Sequence, residues 1–311
     1  MPPLTLLVTG AGTGIGNQTV RALAEAGHTV YASLRDTEGR NAPRAEALRT
    51  YAADAGVDVR VVELDVGSQE SADSAVRTVL AERPHLDAVV HNAAHLGAGV
   101  TEAFTDAQLA AILDTNAIGP HRVNRAVLPH MRARRRGLLL YVGSTTSRMI
   151  YPFQGPYEAA KAAMDSLAEV TRYEVARYGV EVAVVVPGAI TTGTVHFSEG
   201  TRPADGTTAA AYGRLAGVEQ HIMDRLAALS PPDATPRAVA DEIARVVGLP
   251  HGTRPFRTSV DFLQDGAAEV DATAQRLQAD LLRRLDLDDL LHPAVATPAA
   301  VDPEAKDPAT A

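Results

Sequence analysis

The chain has 311 residues, 46% hydrophobic and 22% charged, an ordinary balance for a globular protein with a sizeable core. Its formal net charge of −9 offers no broad attraction to phosphate backbones or anionic lipid, and the arginines between Arg132 and Arg136 are too few to change that, so neither nucleic acid nor a membrane is an expected partner. Without cysteine there is no disulfide framework or thiolate metal site, no apolar run approaches the roughly 20 residues of a membrane span, and the opening "MPPLTLLVTG" is too short for a signal-peptide core, so a cytoplasmic protein is expected.

In chain order, short apolar runs at 4–10, 28–34, 59–66, 86–92, 137–144 and 180–188 have the length and β-branched content of buried strands. Amphipathic stretches at 14–26, 42–55, 69–82, 105–135 and 155–178 lie between them and carry a helical period. Nearly continuous apolar strands alternating with helices predict an α/β fold, a doubly wound parallel sheet covered on both faces, complete in outline by residue 190. After Gly188 the pattern loosens into "TTGTVHFSEGTRPADGTT", then recovers as helices near 208–228 and 235–248, a short run at 254–260 and a charged helix at 269–290. The segment 193–230 reads either as a flap over the substrate or as plain disorder. The Pro/Ala-rich stretch 293–311 is expected to be a disordered tail, leaving 1–292 as a single domain.

The first chemical motif is "TGAGTGIG", Thr9 to Gly16, directly after the first strand and opening the first helix. Its glycines at 10, 14 and 16 are spaced Gly-x₃-Gly-x-Gly, not G-x-G-x-x-G. The logic is the same: glycine permits a tight turn and close backbone approach, and the amides at the helix start, including those near Thr13 and Ile15, suit a pyrophosphate. Nineteen residues after Gly16, at the end of the second strand, comes Arg35, and Leu34 just before it stands where an acidic residue would bind an NAD ribose. An arginine there can meet a 2′-phosphate, which predicts NADP(H). Asp65 and Val66 in "LDV", then Asn92 and Ala93 in "HNAA", stand at the carboxyl ends of the next two strands, where a ligand crevice opens. His91 and His95 bracket that turn without a third ligand, so no metal is expected.

Taken in order, "TGAGTGIG", "LDV", "HNAA", "LDTNAIGP", "VGSTTS", "YEAAK" and "VPGAITTG" resemble the short-chain dehydrogenase/reductase family, over residues 4 to 192. The resemblance implies a Rossmann-type sheet and an NADP-preferring oxidoreductase of the ketoreductase kind. It also implies roles: Tyr157 as general acid/base, Lys161 as its activator, Ser144 orienting the substrate oxygen and Asn116 anchoring a proton-relay water. Tyr157 and Lys161 would also touch the cofactor, and Pro187, Gly188, Ile190 and Thr192 would hold its nicotinamide end. The family builds dimers or tetramers, which places a homodimer or homotetramer interface on the helices near 105–135 and 155–178. The chain departs from the family pattern at His91 and Ala94, and at Glu158 where serine is common.

Residues four apart on a helix share a face, so Tyr157 and Lys161 can both point into one crevice. An ammonium beside a phenol, together with a cationic nicotinamide, is expected to pull the phenol below its usual pKa of about 10. Residues of the insert (Val195, His196, Phe197, Tyr212, Leu215, Met223) and of the turn after Ser144 (Thr146, Met149, Tyr151, Phe153) suggest a largely apolar carbonyl or alcohol substrate, with Thr146, Phe153, His196 and Phe197 as its candidate contacts. Two other readings stay open: a same-fold dehydrogenase of alcohols, sugars or polyketide intermediates, and a non-catalytic NADP(H)-binding sensor.

Overall fold

The computed structural model describes residues 2–295. Its centre is a seven-stranded sheet in the order β3-β2-β1-β4-β5-β6-β7, from β1 (Thr5–Val8), β2 (Thr29–Leu34), β3 (Val59–Glu63), β4 (Ala88–His91), β5 (Gly137–Val142), β6 (Val180–Pro187) and β7 (Arg257–Val260). Every pairing is parallel. The chain winds outward from β1 to β3, returns to pair Leu6 of β1 with Ala88 of β4, and winds out the other way. That reversal opens a crevice at the carboxyl ends of β1 and β4, so the loops after these two strands become neighbours.

Side chains alternate across the strands and are buried on both faces. From β5, Leu138, Leu140 and Val142 join the core under α1 (Gly14–Glu25) and α9 (Pro236–Gly248), while Leu139 and Tyr141 pack with Val127, Met131 and Met164 on the opposite face. The helices of that opposite face are α3 (Gln69–Glu82), α5 (Gly119–Arg134) and α6 (Gly155–Ala176). Helix α2 (Ala42–Ala55) occupies the range its periodicity predicts.

Three expectations change. The single helix expected over 105–135 is α4 (Asp106–Leu113) and α5 joined by a π turn at Asp114–Ile118, because Gly119 N–H reaches back to Asp114 O, five residues away. The helix expected near 208–228 is two pieces, α7 (Gly206–Ala211) and α8 (Val218–Leu229), separated by Gly213 and by Gly217 at φ 79°. The charged helix is α10 (Ala267–Arg284), which stops before a short 3₁₀ turn at Asp288–Leu291.

The segment after β6 is tied down at Thr201 and Arg202. Thr201 N–H donates to Leu96 O at 2.8 Å, Ala98 N–H returns to Thr201 O at 3.0 Å, and Gln108 Nε2 donates to Arg202 O at 2.8 Å. Of the stretch 293–311, the structure describes 293–295, where Ala294 N–H donates to Ala176 O at 2.8 Å on the end of α6. Its remainder, 296–311, lies outside the described residues.

Candidate active site

The crevice opens into one cavity of about 1100 Å³ that runs from the loop after β1, past the ends of β2 and β4, to the start of α6. Its first wall is built by close packing. Gly10, at φ 64°, lies so near the β4 loop that a Cβ would come within 2.8 Å of Ala93 Cα, and a Cβ on Gly16 would come within 2.4 Å of both Asn92 Nδ2 and Gly10 O. Asn92 fastens the loop by donating Nδ2 to Thr9 O at 2.9 Å and to Gly10 O at 3.1 Å, and the Thr9 hydroxyl accepts the N–H groups of Asn92 and Ala93, each at 3.0 Å. Gly16 therefore supports the loop from behind, whereas Gly10, Thr13, Gly14 and Ile15 face the cavity. Thr13 makes no side-chain cap on α1, so the first-turn amides, which have no partner within the helix, are offered to the cavity.

At the far end the cavity is cationic. Arg35 lines it and, among the described residues, makes no ion pair; Arg40 and Arg44 join it there. The Arg44 guanidinium spans the opening to Glu199 at 3.1 Å, and Gly12 is packed between Leu34 and the Arg44 stem. Arg40 and Arg44 are missed by motif reading, although two arginines within ten residues of Arg35, one just before α2 and one in its first turn, are a visible signal. Asp65 and Val66 line the middle, where the Asp65 carboxylate accepts the N–H of Gly67 at 2.9 Å.

The inner wall brings Ser144, Tyr157 and Lys161 together. Ser144 follows β5 by two residues and caps the turn Thr145–Ser147, where its hydroxyl accepts from Thr146 N at 3.2 Å and bonds Thr146 Oγ1 at 2.9 Å. Lys161 is buried one turn beyond Tyr157, with Nζ 5.8 Å from the tyrosine ring centroid and donating to Val142 O at 2.9 Å. Burial pulls the lysine down to about 8, against the opposing charge of Asp165. The Tyr157 phenol moves opposite to the sequence expectation: burial pushes it above its ordinary value, the Ser144 hydroxyl opposes this, and the Glu158 carboxylate adds to it. His196 packs edge-on to Tyr157 at 5.3 Å between centroids and is held down to about 4 by burial, with the charges of Lys161 and His95 acting the same way. It is thus a neutral imidazole near neutral pH.

Other expected residues fall differently. Pro187, Gly188 and Ile190 line the cavity, but Thr192 is exposed and outside its lining; Thr194 lies over the glycine loop, 2.9 Å from where a Gly14 Cβ would be. Asn116 is buried in the π turn, its amide donating to His95 O at 2.9 Å and Ile112 O at 2.8 Å and accepting from His95 N at 3.1 Å. Thr146, His196 and Phe197 line the cavity. Phe153 does not: at φ 70°, with its carbonyl accepting Gly99 N–H at 2.8 Å, it turns into a separate pocket of about 50 Å³ beside Ile222 and Met223. Tyr212 and Leu215 are exposed. His95, which bonds Thr201 Oγ1 at 2.7 Å, lines the cavity, while His91 is sealed in the core against Tyr141.

The chain has known relatives. The chain is 32% identical over 193 residues to a 3-ketodihydrosphingosine reductase of Bacteroides thetaiotaomicron, a match covering 62% of this chain and 66% of that protein. The chain therefore spans slightly less than two thirds of that relative. A short-chain dehydrogenase from Streptomyces avermitilis is similar with a TM-score of 0.70 and 26% identity, over 91% of this chain and 98% of the other. A gluconate 5-dehydrogenase from Burkholderia cenocepacia, in complex with NADP and tartrate, is 29% identical with a TM-score of 0.56, over 60% of this chain and 72% of its own. Residues 4–202, the sheet from β1 through β6 with both walls of the cavity, match the family described as short chain dehydrogenase, and the chain belongs to that family.

Proposed function

We propose that this protein reduces a ketone to a secondary alcohol, or runs the reverse, with NADP(H) as cofactor and Tyr157 as general acid/base. The observation that carries the reading is the convergence of Ser144, Tyr157 and Lys161 on the inner wall of a cavity whose other end is the glycine loop and Arg35. The cavity fits the cofactor. Gly10 and Gly14 leave no room for side chains, which keeps the backbone amides accessible to a pyrophosphate, and the Arg35 guanidinium has no competing carboxylate among the described residues. The gluconate 5-dehydrogenase described with NADP supports the same choice. Ile190, Pro187 and Gly188 would then hold the nicotinamide end, and Lys161 would reach the ribose hydroxyls.

When bound, the cofactor supplies or accepts the hydride. The chain's own groups manage the oxygen and the proton. Ser144 Oγ holds the substrate oxygen as it gains charge. Tyr157, kept protonated by burial, donates its phenolic proton to that oxygen, and the Lys161 ammonium then stabilises the phenolate left behind. On the substrate side Leu96, Ile112, Phe197 and Leu226 are apolar, while His95, His196 and Thr201 are polar. That mixed wall suits a ketone with an apolar chain and a second polar group, and the name of the 3-ketodihydrosphingosine reductase points to the same class.

Among the described residues no helix is long and apolar enough to cross a membrane. Exposed Leu109 on α4, Ile118 in the π turn, and Leu167 and Val170 on α6 support a homodimer or homotetramer built on these helices. The test of function is NADPH oxidation across a panel of simple ketones, 3-oxo esters and 3-oxo thioesters. Binding of NADPH with no turnover on any of them would favour a sensor.

A further inference from the structure

We propose that α10, which lies beyond the residues matching the family, positions the catalytic serine: Asp271 on α10 holds Arg148, and Arg148 holds the Ser144 turn against α6. The inference rests on the reading of Ser144 as the residue that holds the substrate oxygen.

Arg148 stands four residues after Ser144, at the end of the 3₁₀ turn Thr145–Ser147. The bonds that turn makes to itself are local: Ser147 N–H to Ser144 O at 3.2 Å, and Arg148 and Met149 N–H to Thr145 O, each at 2.9 Å. None of these relates the turn to α6, where Tyr157 and Lys161 lie. Arg148 does. Its Nη1 donates back to Ser147 O at 3.1 Å, its Nη2 donates to Asp165 Oδ2 at 2.6 Å, and its Nε donates to Asp271 Oδ1 at 2.7 Å. Asp165 is one turn beyond Lys161 on the same helix, so a single guanidinium ties the serine turn, the catalytic helix and α10 together.

The far side is equally fixed. Arg257 on β7 donates to Asp165 Oδ1 at 2.5 Å and to Oδ2 at 2.8 Å, with Glu169 at 3.4 Å and Asp271 at 3.8 Å. Three of the side chains are buried, Asp165 at 3% exposed, Arg257 at 4% and Asp271 at 8%, and Arg148 is partly buried at 19%. Buried ion networks of this kind are often no more stabilising than hydrophobic residues of the same volume, because desolvation offsets the attraction. Their distinctive property is geometric. A planar guanidinium with several directed donors accepts its partners in one arrangement only. The network therefore sets the distance between the turn bearing Ser144 and the helix bearing Tyr157, which is the distance the reaction needs.

A double-mutant cycle tests this. Asp271→Asn and Arg148→Lys are each made in the wild-type and in the Ser144→Ala background, and kcat, KM and the NADPH Kd are measured with thermal melts alongside. In the wild-type background each is expected to lower kcat by about 10-fold or more, the scale of a small misplacement of a reacting group, with the NADPH Kd unchanged. In the Ser144→Ala background the same substitutions should cost nothing further, and Asp271→Glu should recover most of the loss. An equal fold-loss in both backgrounds would overturn the proposal, since the network would then act on the whole fold and not through Ser144. A Ser144→Ala enzyme with undiminished kcat would instead overturn the reading of the site. Should Arg148→Lys fail to fold, the Asp271→Asn arm decides alone, because it leaves the pair between Arg148 and Asp165 in place.

Discussion

Lys161 on α6 donates its Nζ to the carbonyl oxygen of Val142, the last residue of β5, across 2.9 Å. One hydrogen bond thus fixes the ammonium between the strand that ends beside Ser144 and the helix that carries Tyr157. Burial lowers its pKa to about 8. The charged form predominates below that value, so a reaction that needs the ammonium should lose kcat/KM as the pH rises through about 8. Measuring ketone reduction against pH checks this; a profile flat to pH about 10, the ordinary lysine range, would show that Lys161 stays charged throughout or is not needed. Lys161→Met should lower turnover and weaken NADPH binding together.

Tyr157→Phe keeps the ring that packs against His196 and removes only the phenolic proton. It should lower kcat by about 10²-fold or more, the usual scale for a general acid, with little change in NADPH affinity. Fluorescence titration of NADPH and steady-state kinetics on the best ketone separate the two effects. Near-normal turnover would remove Tyr157 from the mechanism.

Cofactor choice turns on the end of β2. Leu34 is buried against Gly12 and offers the ribose no acceptor, while Arg35 faces the cavity unpaired among the described residues. A charge-assisted hydrogen bond of about 1.5–3 kcal/mol corresponds to a preference for NADPH of about 10- to 100-fold. Solvent exposure of Arg35 pulls the value toward the lower end. The ratio of kcat/KM for the two cofactors should therefore favour NADPH, and Leu34→Asp combined with Arg35→Ala should shift it toward NADH. A wild-type preference for NADH would exclude a 2′-phosphate site at Arg35.

His91 gives the fold an acid-sensitive point. Fully buried and stacked on Tyr141 at 4.5 Å, its imidazole is held down to about 3 by desolvation. Between that value and its ordinary pKa of 6.5 the unfolded chain binds a proton that the folded chain refuses. Stability should therefore fall as the pH drops below about 6.5, by up to about 1.4 kcal/mol per pH unit from this one group. His91→Phe, which keeps the stacking, should make melting temperatures less sensitive to acid. Identical acid limbs for the two proteins would mean that His91 is hydrated or protonated in the folded state.

The order of strands and helices, the parallel sheet and the shared face of Tyr157 and Lys161 were legible in the sequence because each depends on local periodicity. A glycine turn or a four-residue helical spacing carries its geometry with it. Helix α2 and helix α3 begin and end where their apolar spacing predicts. The π turn was not legible, since it rests on a backbone hydrogen bond from Gly119 N–H to Asp114 O that residue types do not announce. Phe153 lies in an apolar stretch that reads as substrate-facing, but a left-handed backbone and a hydrogen bond to Gly99 turn it away. The direction of the Tyr157 pKa was likewise decided by burial, which spacing does not report. What joins the site together depends on longer reach: Arg44 meets Glu199 across 155 residues, and Arg148 meets Asp271 across 123. Contacts at such separations are chosen by how the sheet is wound and its helices packed, so they exist only once the tertiary structure has formed.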